Sequence, residues 1–151
     1  MEHQELIEAG KMKAGGYFKE GYNCAEATLK AANELLDLGL APGMEKMATV
    51  FGGGMGQAGC VCGALVGGNM ALGLMKGRTS TAQDRMPAYQ AAKELHDRFK
   101  EKFGSTCCRV LNPGADYESV DHKKRCLKYT GNGAGLVLEY LLELRKQETE
   151  G

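Results

Sequence analysis

The chain has 151 residues, a length that fits one domain able to bury a core without disulfide bonds. Its 19 basic and 19 acidic residues cancel, which argues against nucleic acid as the main partner, because phosphate binding requires a basic excess or a basic stripe. Charges begin at Glu2 and no apolar run follows, so we see no secretory signal. We therefore expect residues 1–151 to form a single cytoplasmic domain.

The N-terminal part is predicted to form two helices. Residues 4–19 read as an amphipathic helix, and a second helix extends to about Leu38. Asn23 and Glu26 have the spacing of a capping box at the start of this second helix. Cys24 then lies in the first turn, where free backbone N–H groups and the helix dipole favour an anion. We predict a lowered pKa for this thiol, the condition for a nucleophilic or metal-binding sulfur.

A short predicted helix, residues 42–50, leads into the least polar part of the chain. No charged residue occurs in residues 47–75, so this segment is expected to be interior. It divides into a glycine-rich loop, residues 51–59, and an apolar helix, residues 60–75. The continuous apolar part is shorter than the roughly 20 residues that a bilayer requires. We therefore predict a buried helix and no membrane span.

Glycines recur at helical spacing in this apolar segment. Each interior glycine costs a helix roughly 1 kcal/mol relative to Ala, so repetition indicates a benefit, either close helix packing or backbone proximity to a ligand. Two sets of positions each give one helix face with little or no side chain: Gly59, Gly63 and Gly67, and Asn69, Gly73 and Gly77. Cys62 lies near the start of this helix, so we expect the helix N-terminus to lower the pKa of its thiol, as argued for Cys24.

Residues 54–59 match the GxGxxG pattern of dinucleotide-binding loops, but the rest of that fingerprint is missing. The pattern is informative after a strand and with an acidic residue about twenty positions further on. No acidic residue occurs between Glu45 and Asp84, and residues 45–50 read at least as well as helix. We therefore disfavour nucleotide binding.

The C-terminal part is predicted to hold three helical segments. A long charged helix begins or kinks near Pro87 and ends at about Phe103. A short helical piece follows around Cys107 and Cys108, and a last helix runs over residues 119–146, with an interruption predicted at residues 131–133. Because no sustained alternation of apolar and polar residues occurs, we predict an all-α fold, a compact bundle of about five to six helices with the glycine-rich helix at its centre.

Two further thiols lie beside basic residues. Arg109 follows Cys108, and a basic run, residues 123–128, surrounds Cys126, so the local positive field is expected to favour both thiolates. His122 lies one helical turn before Cys126 and on the same face, where the two could form an activated pair or two metal ligands. A solvated histidine beside a basic run is the commoner interpretation.

The chain has six cysteines, which a cytoplasmic protein keeps reduced unless they are catalytic, sensing or metal-bound. Some cysteines are simply small buried apolar residues, and we apply this interpretation first to Cys60 and Cys107. The other four need a chemical reason.

Residues 62–67, CGALVG, match a known CGAxxG motif, with the segments GYNCA (residues 21–25) and FGGGMG (residues 51–56) before it and FGS (residues 103–105) after it. Over roughly residues 15–145 the chain thereby resembles the C-GCAxxG-C-C family, small prokaryotic proteins that are defined by four cysteines and described as redox-active. The resemblance implies that the family cysteines are Cys24, Cys62, Cys108 and Cys126.

The leading interpretation is a thiol–disulfide redox protein that needs no cofactor and exchanges electrons with a redox partner protein or a reductant. Its attacking candidates are Cys24 and Cys62, and Cys108 and Cys126 form a second pair or act as resolving thiols. Four cysteines allow three pairings, of which we favour Cys24 facing Cys62.

Two alternatives stay open. The four cysteines could converge as ligands of zinc or of an iron–sulfur cluster, although they lack knuckle spacing. Alternatively, the protein is a helical interaction module with inert cysteines, whose glycine faces pack one copy of the chain on another.

Overall fold

A computed structural model describes residues 2–150, which form six α-helices, one 3-10 helix and an isolated antiparallel bridge between Val61 and Cys107. The helices are α1 (His3–Glu20), α2 (Cys24–Leu36), the 3-10 helix (Met44–Phe51), α3 (Gly63–Lys76), α4 (Met86–Phe103), α5 (Cys108–Leu111) and α6 (Val120–Glu150). The all-α prediction is confirmed for these residues. The number of helices exceeds the predicted five to six, because the single turn of α5 and the 3-10 helix are separate elements.

The core is formed mainly by α2, α3, α4 and α6. Helix α6 packs against α1, α2, α3 and α4, while both α2 and α3 pack against α6, against each other and against the 3-10 helix. Leu29 of α2, Leu65 of α3, Phe99 of α4 and Leu138 of α6 are among its fully buried side chains. A central position of the glycine-rich helix α3 is therefore not confirmed, since α2 and α6 are as fully surrounded. No helix within residues 2–150 is long and apolar enough to cross a membrane.

One glycine face of α3 serves close packing, and the other does not. A side chain at Gly67 would collide with the carbonyl oxygen of Ala25, and one at Gly63 would collide with the sulfur of Cys24. The predicted close approach is thus confirmed on this face, where α2 of the same chain, and not a second copy, occupies the groove. Gly73 belongs to the other set, and apart from the adjacent backbone of α3 no atom of residues 2–150 lies within 4 Å of the place its Cβ would take.

Helix α6 continues through residues 131–133, where an interruption was predicted. A Cβ at Gly133 would lie 3.0 Å from the Cβ of Ala64 on α3, and a Cβ at Gly135 would lie 2.6 Å from Cε of Lys11 on α1. These glycines mark the crossings of α6 with its neighbours. The packing gained there offsets their low helix propensity.

The segment before the GxGxxG pattern is the 3-10 helix and not a strand. The sequence-based argument against a dinucleotide fingerprint therefore agrees with the fold.

Candidate functional site

Cys24 is the first residue of α2 and lies beneath a capping box. The N–H of Glu26 donates to Oδ1 of Asn23 at 2.9 Å, and the N–H of Asn23 donates to Oε1 of Glu26 at 2.9 Å, so the predicted cap is confirmed. The Cys24 side chain is only 3% exposed. Its sulfur rests on Gly63, where no Cβ could fit. The glycine of the CGAxxG motif therefore makes room for this thiol.

The glycine-rich loop covers the start of α2. Gly54 has a φ of +72°, and a Cβ there would lie 2.5 Å from the Cys60 nitrogen and 2.7 Å from the Cβ of Cys108, so only glycine fits. This tight loop brings the N–H of Gly53 within hydrogen-bond reach of the Cys24 sulfur. Left-handed backbone occurs at Gly53, Gly54, Met55, Gly56, Gln57 and Gly59.

The segments that carry Cys62 and Cys108 are joined by backbone hydrogen bonds. The N–H of Cys62 donates to the carbonyl of Thr106 at 2.7 Å, and the N–H of Cys108 donates to the carbonyl of Cys60 at 2.5 Å. Cys62 caps the N-terminus of α3 and Cys108 is the first residue of α5, and both are buried. Two helix starts distant in sequence are thus brought to Cys24.

The pKa of Cys24 is lowered to about 7. The largest cause is a hydrogen bond from the thiol of Cys126, on α6, and further hydrogen bonds come from the backbone N–H groups of Gly53, Ala25 and Cys24 itself. Burial acts in the opposite direction and is outweighed. The lowered pKa predicted for Cys24 at the start of α2 therefore agrees with its surroundings. The largest cause of the lowering is Cys126, which lies far from Cys24 in sequence.

The predicted lowering of the pKa at the other three family cysteines is wrong. Burial, and after it the negative charge of Cys24, raise the pKa of Cys62 to about 12. Burial and the same charge raise the pKa of Cys108. The pKa of Cys126 is also raised, first because its thiol is hydrogen-bonded to Cys24 and then because it is buried. One thiolate within reach of three other sulfurs keeps those sulfurs protonated, and this outweighs nearby Arg and Lys side chains.

Cys60 and Cys107 do not behave as predicted for small buried residues. Cys60 is exposed and Cys107 is half-buried, because the short bridged segments that position Cys62 and Cys108 turn these neighbouring side chains away from the core. All six cysteines are free thiols.

His122 is buried, with 3% of its surface exposed, and not the solvated histidine that its basic neighbours indicated. Its ring packs against that of Tyr117 in a tilted arrangement, with centroids 4.5 Å apart and an interplanar angle of 54°, and Nδ2 of Asn112 lies 3.1 Å from its Nδ1. Sequence patterns did not identify Asn112 or Tyr117 as site residues. An asparagine directly after a helix is a recognisable cap, but its partner on α6 is visible only in the fold.

A cavity of about 790 Å³ opens beside these groups. Three of the family thiols, Cys24, Cys108 and Cys126, line it together with His122, whereas Cys62 does not. The remaining walls come from the end of α1, the glycine-rich loop and the start of α6. A small molecule in this cavity would lie beside Cys24.

Within residues 2–150, no set of three or more His, Cys, Asp or Glu side chains is arranged to hold a metal ion. The alternative of zinc or an iron–sulfur cluster on the four cysteines is therefore not supported by side-chain geometry.

Fold and site together define an all-helical protein in which four thiols lie within electrostatic reach of one another beside a cavity. The chain belongs to the family described as "Putative redox-active protein (C_GCAxxG_C_C)", whose model matches residues 22–140. It is also 31% identical over 145 residues to a protein of Archaeoglobus fulgidus described as uncharacterized. The aligned region covers 91% of this chain and 96% of the archaeal protein. No solved structure matches significantly.

Proposed function

We propose that this protein performs thiol–disulfide exchange, with Cys24 as the attacking thiolate and Cys126 as the resolving thiol. The observation that carries the proposal is that Cys24, at the N-terminus of α2, and Cys126 line the same cavity, where hydrogen bonding by the Cys126 thiol lowers the pKa of Cys24 to about 7. A thiol with that pKa is substantially ionised near neutral pH and keeps good nucleophilicity.

The exchange has two balanced steps. The Cys24 thiolate attacks one sulfur of a substrate disulfide, a mixed disulfide forms, and the first half of the substrate leaves as a thiolate. Cys126 then loses its proton to the leaving thiolate or to water and attacks the Cys24 sulfur, releasing the second half. The protein ends with a Cys24–Cys126 disulfide, and the substrate has taken up two electrons.

The effect of the Cys24 charge on the pKa of Cys126 suits a reaction in which Cys24 attacks first and Cys126 second. The charge on Cys24 is among the causes that keep Cys126 protonated in the resting protein. Formation of the mixed disulfide removes that charge, so the pKa of Cys126 falls when its thiolate is needed. A thiol reductant or a reducing partner protein would then reopen the disulfide.

Cys62 and Cys108 are the remaining candidates for the resolving role. The pairing of Cys24 with Cys62 is less favoured than it was from sequence, because the direct hydrogen bond to Cys24 comes from Cys126. Peptide mapping after oxidation with one equivalent of a disulfide distinguishes these pairings. We expect a Cys24–Cys126 peptide, and a Cys24–Cys62 or Cys24–Cys108 peptide would overturn the assignment of Cys126 alone.

Single-turnover reduction of dithiodipyridine tests the function itself. The background variant should carry Cys60→Ser and Cys107→Ser, which remove the two more exposed thiols that would react independently. In this background Cys24→Ser should abolish the fast phase, and iodoacetamide alkylation of Cys24 should follow a midpoint near pH 7. An undiminished fast phase without Cys24 would contradict the proposal.

A further inference from the structure

The tautomer of His122 is fixed by a chain of hydrogen bonds. Nε of Arg125 donates to Oδ1 of Asn112 at 2.7 Å, which orients the amide so that its Nδ2 faces His122. Nδ2 then donates to the carbonyl of His122 at 2.9 Å and to its Nδ1 at 3.1 Å. Because Nδ1 accepts a hydrogen bond, the ring proton of the neutral imidazole is on Nε2.

This Nε2–H group is buried and has no hydrogen-bond partner among the described residues. A buried donor without an acceptor costs about 1–3 kcal/mol, so an oriented and unused donor requires an explanation. His122 and Cys24 both line the cavity. A molecule bound in this cavity is therefore the candidate source of the missing acceptor.

The mouth of the cavity carries excess positive charge. Its charged lining residues are Lys19, Lys123, Lys124 and Glu118. Lys123 is paired with Glu118 at 3.0 Å, while no carboxylate within residues 2–150 lies at ion-pair distance from Lys19 or Lys124. A bound anion would be attracted by both free ammonium groups and would compensate for its repulsion by the Cys24 thiolate.

We propose that the cavity binds a small disulfide bearing carboxylate groups, with Nε2–H of His122 donating to an oxyanion of the ligand and with Lys19 and Lys124 as counter-charges. The volume of about 790 Å³ is within the usual range of small-molecule sites. This inference rests on the proposed function, because it is the reactive thiolate that selects a disulfide. Bond formation and electron flow are those of the exchange given above.

The test compares two disulfide reagents that release coloured thiols: dithiobis(nitrobenzoate), which carries two carboxylates, and dithiodipyridine, which is uncharged. Rates are measured by stopped flow in the Cys60→Ser, Cys107→Ser background. Lys19→Gln combined with Lys124→Gln should lower the ratio of the anionic to the neutral rate by about fivefold, the order expected for exposed charge pairs. Lys128 lies on α6, as Lys124 does, but does not line the cavity. Lys128→Gln is therefore the matched control, and it should leave the ratio of the anionic to the neutral rate unchanged.

Two substitutions of His122 separate binding from folding. His122→Gln can place an amide donor near the position of Nε2, whereas the amide of the shorter side chain in His122→Asn reaches only the position of Nδ1. We expect His122→Asn to lower the rate ratio by about fivefold and His122→Gln to lower it less, because a hydrogen bond is worth about 1 kcal/mol. If both reagents slow equally in every variant, or if no ratio changes, the anionic site is refuted. If Cys24→Ser leaves both rates intact, the proposed function fails, and with it the disulfide class of the ligand.

Discussion

At the scale of single residues, one thiolate organises the chemistry of the site. Cys24 has a helix N-terminus, the N–H of Gly53 and the thiol of Cys126 directed at its sulfur, and these groups outweigh the desolvation of a buried charge. Burial raises the pKa of Cys62 and Cys108, the hydrogen bond to Cys24 and burial raise that of Cys126, and the charge on Cys24 acts in the same direction on all three. Four similar side chains therefore acquire different pKa values, one lowered and three raised, from their positions.

Replacing Cys126 tests whether its thiol is the main cause of the lowered pKa of Cys24. Cys126→Ala removes the strongest hydrogen bond to the Cys24 sulfur, so the pKa of Cys24 should rise from about 7 towards or above the ordinary thiol value of about 8.5. Cys126→Ser retains an O–H donor and should give a smaller rise. The midpoint of iodoacetamide alkylation against pH measures both. Equal midpoints in the parent protein and the Ala variant would mean that the backbone N–H groups alone stabilise the thiolate.

At the scale of elements, the glycines of α3 determine how closely the helices that carry the site approach. Gly63 and Gly67 let α2 lie directly on α3, which brings Cys24 against the N-terminus of α3. On the opposite side, Gly68 faces Val137 of α6, and a side chain there would collide with that valine. Helix α3 is thus held between the two helices that supply Cys24 and Cys126.

Two alanine substitutions in the same helix should have opposite effects. Gly67→Ala forces a methyl group into the backbone of Ala25 and should lower the free energy of unfolding by about 1–3 kcal/mol, as overpacking does. Gly73→Ala fills open space and should raise it by up to about 1 kcal/mol through better helix propensity. Urea denaturation measures both. Stabilisation by Gly67→Ala would contradict the close contact between α2 and α3.

At the scale of the whole molecule, ionisation of Cys24 is linked to folding. Its folded pKa of about 7 lies below the unfolded value of about 8.5, so the folded chain releases this proton first as the pH rises. The resulting stabilisation is complete above about pH 8.5 and is lost as the pH falls through 7. At higher pH the effect reverses, because the unfolded chain ionises the three thiols whose pKa is raised by folding.

The stability of the reduced protein should therefore rise between pH 7 and 8.5 relative to that of Cys24→Ser. The expected gain between these two pH values is about 1.3 kcal/mol, out of a total of about 2 kcal/mol that a pKa difference of roughly 1.5 units supplies. Urea unfolding at several pH values under reducing conditions measures this difference. Cys60→Ser removes an exposed thiol and serves as the control, which should retain the parent profile. A constant difference between the parent protein and Cys24→Ser would refute the linkage.

The sequence by itself determined the features that depend on neighbours along the chain. The all-helical character, the capping box that holds Cys24 in the first turn of α2, the start of α4 near Pro87 and the close approach at Gly63 and Gly67 all follow from local spacing. The family membership follows from residues around the CGAxxG motif.

Only the tertiary structure decided which groups face one another. The hydrogen bond from Cys126 to Cys24, the buried His122 held by Asn112 and the cavity between them join residues far apart in sequence. Arg109 and the basic run around Cys126 indicated thiolates there, yet burial and the Cys24 charge reversed the direction of those pKa shifts. Desolvation and charge repulsion depend on distances through space, which the order of residues along the chain does not contain.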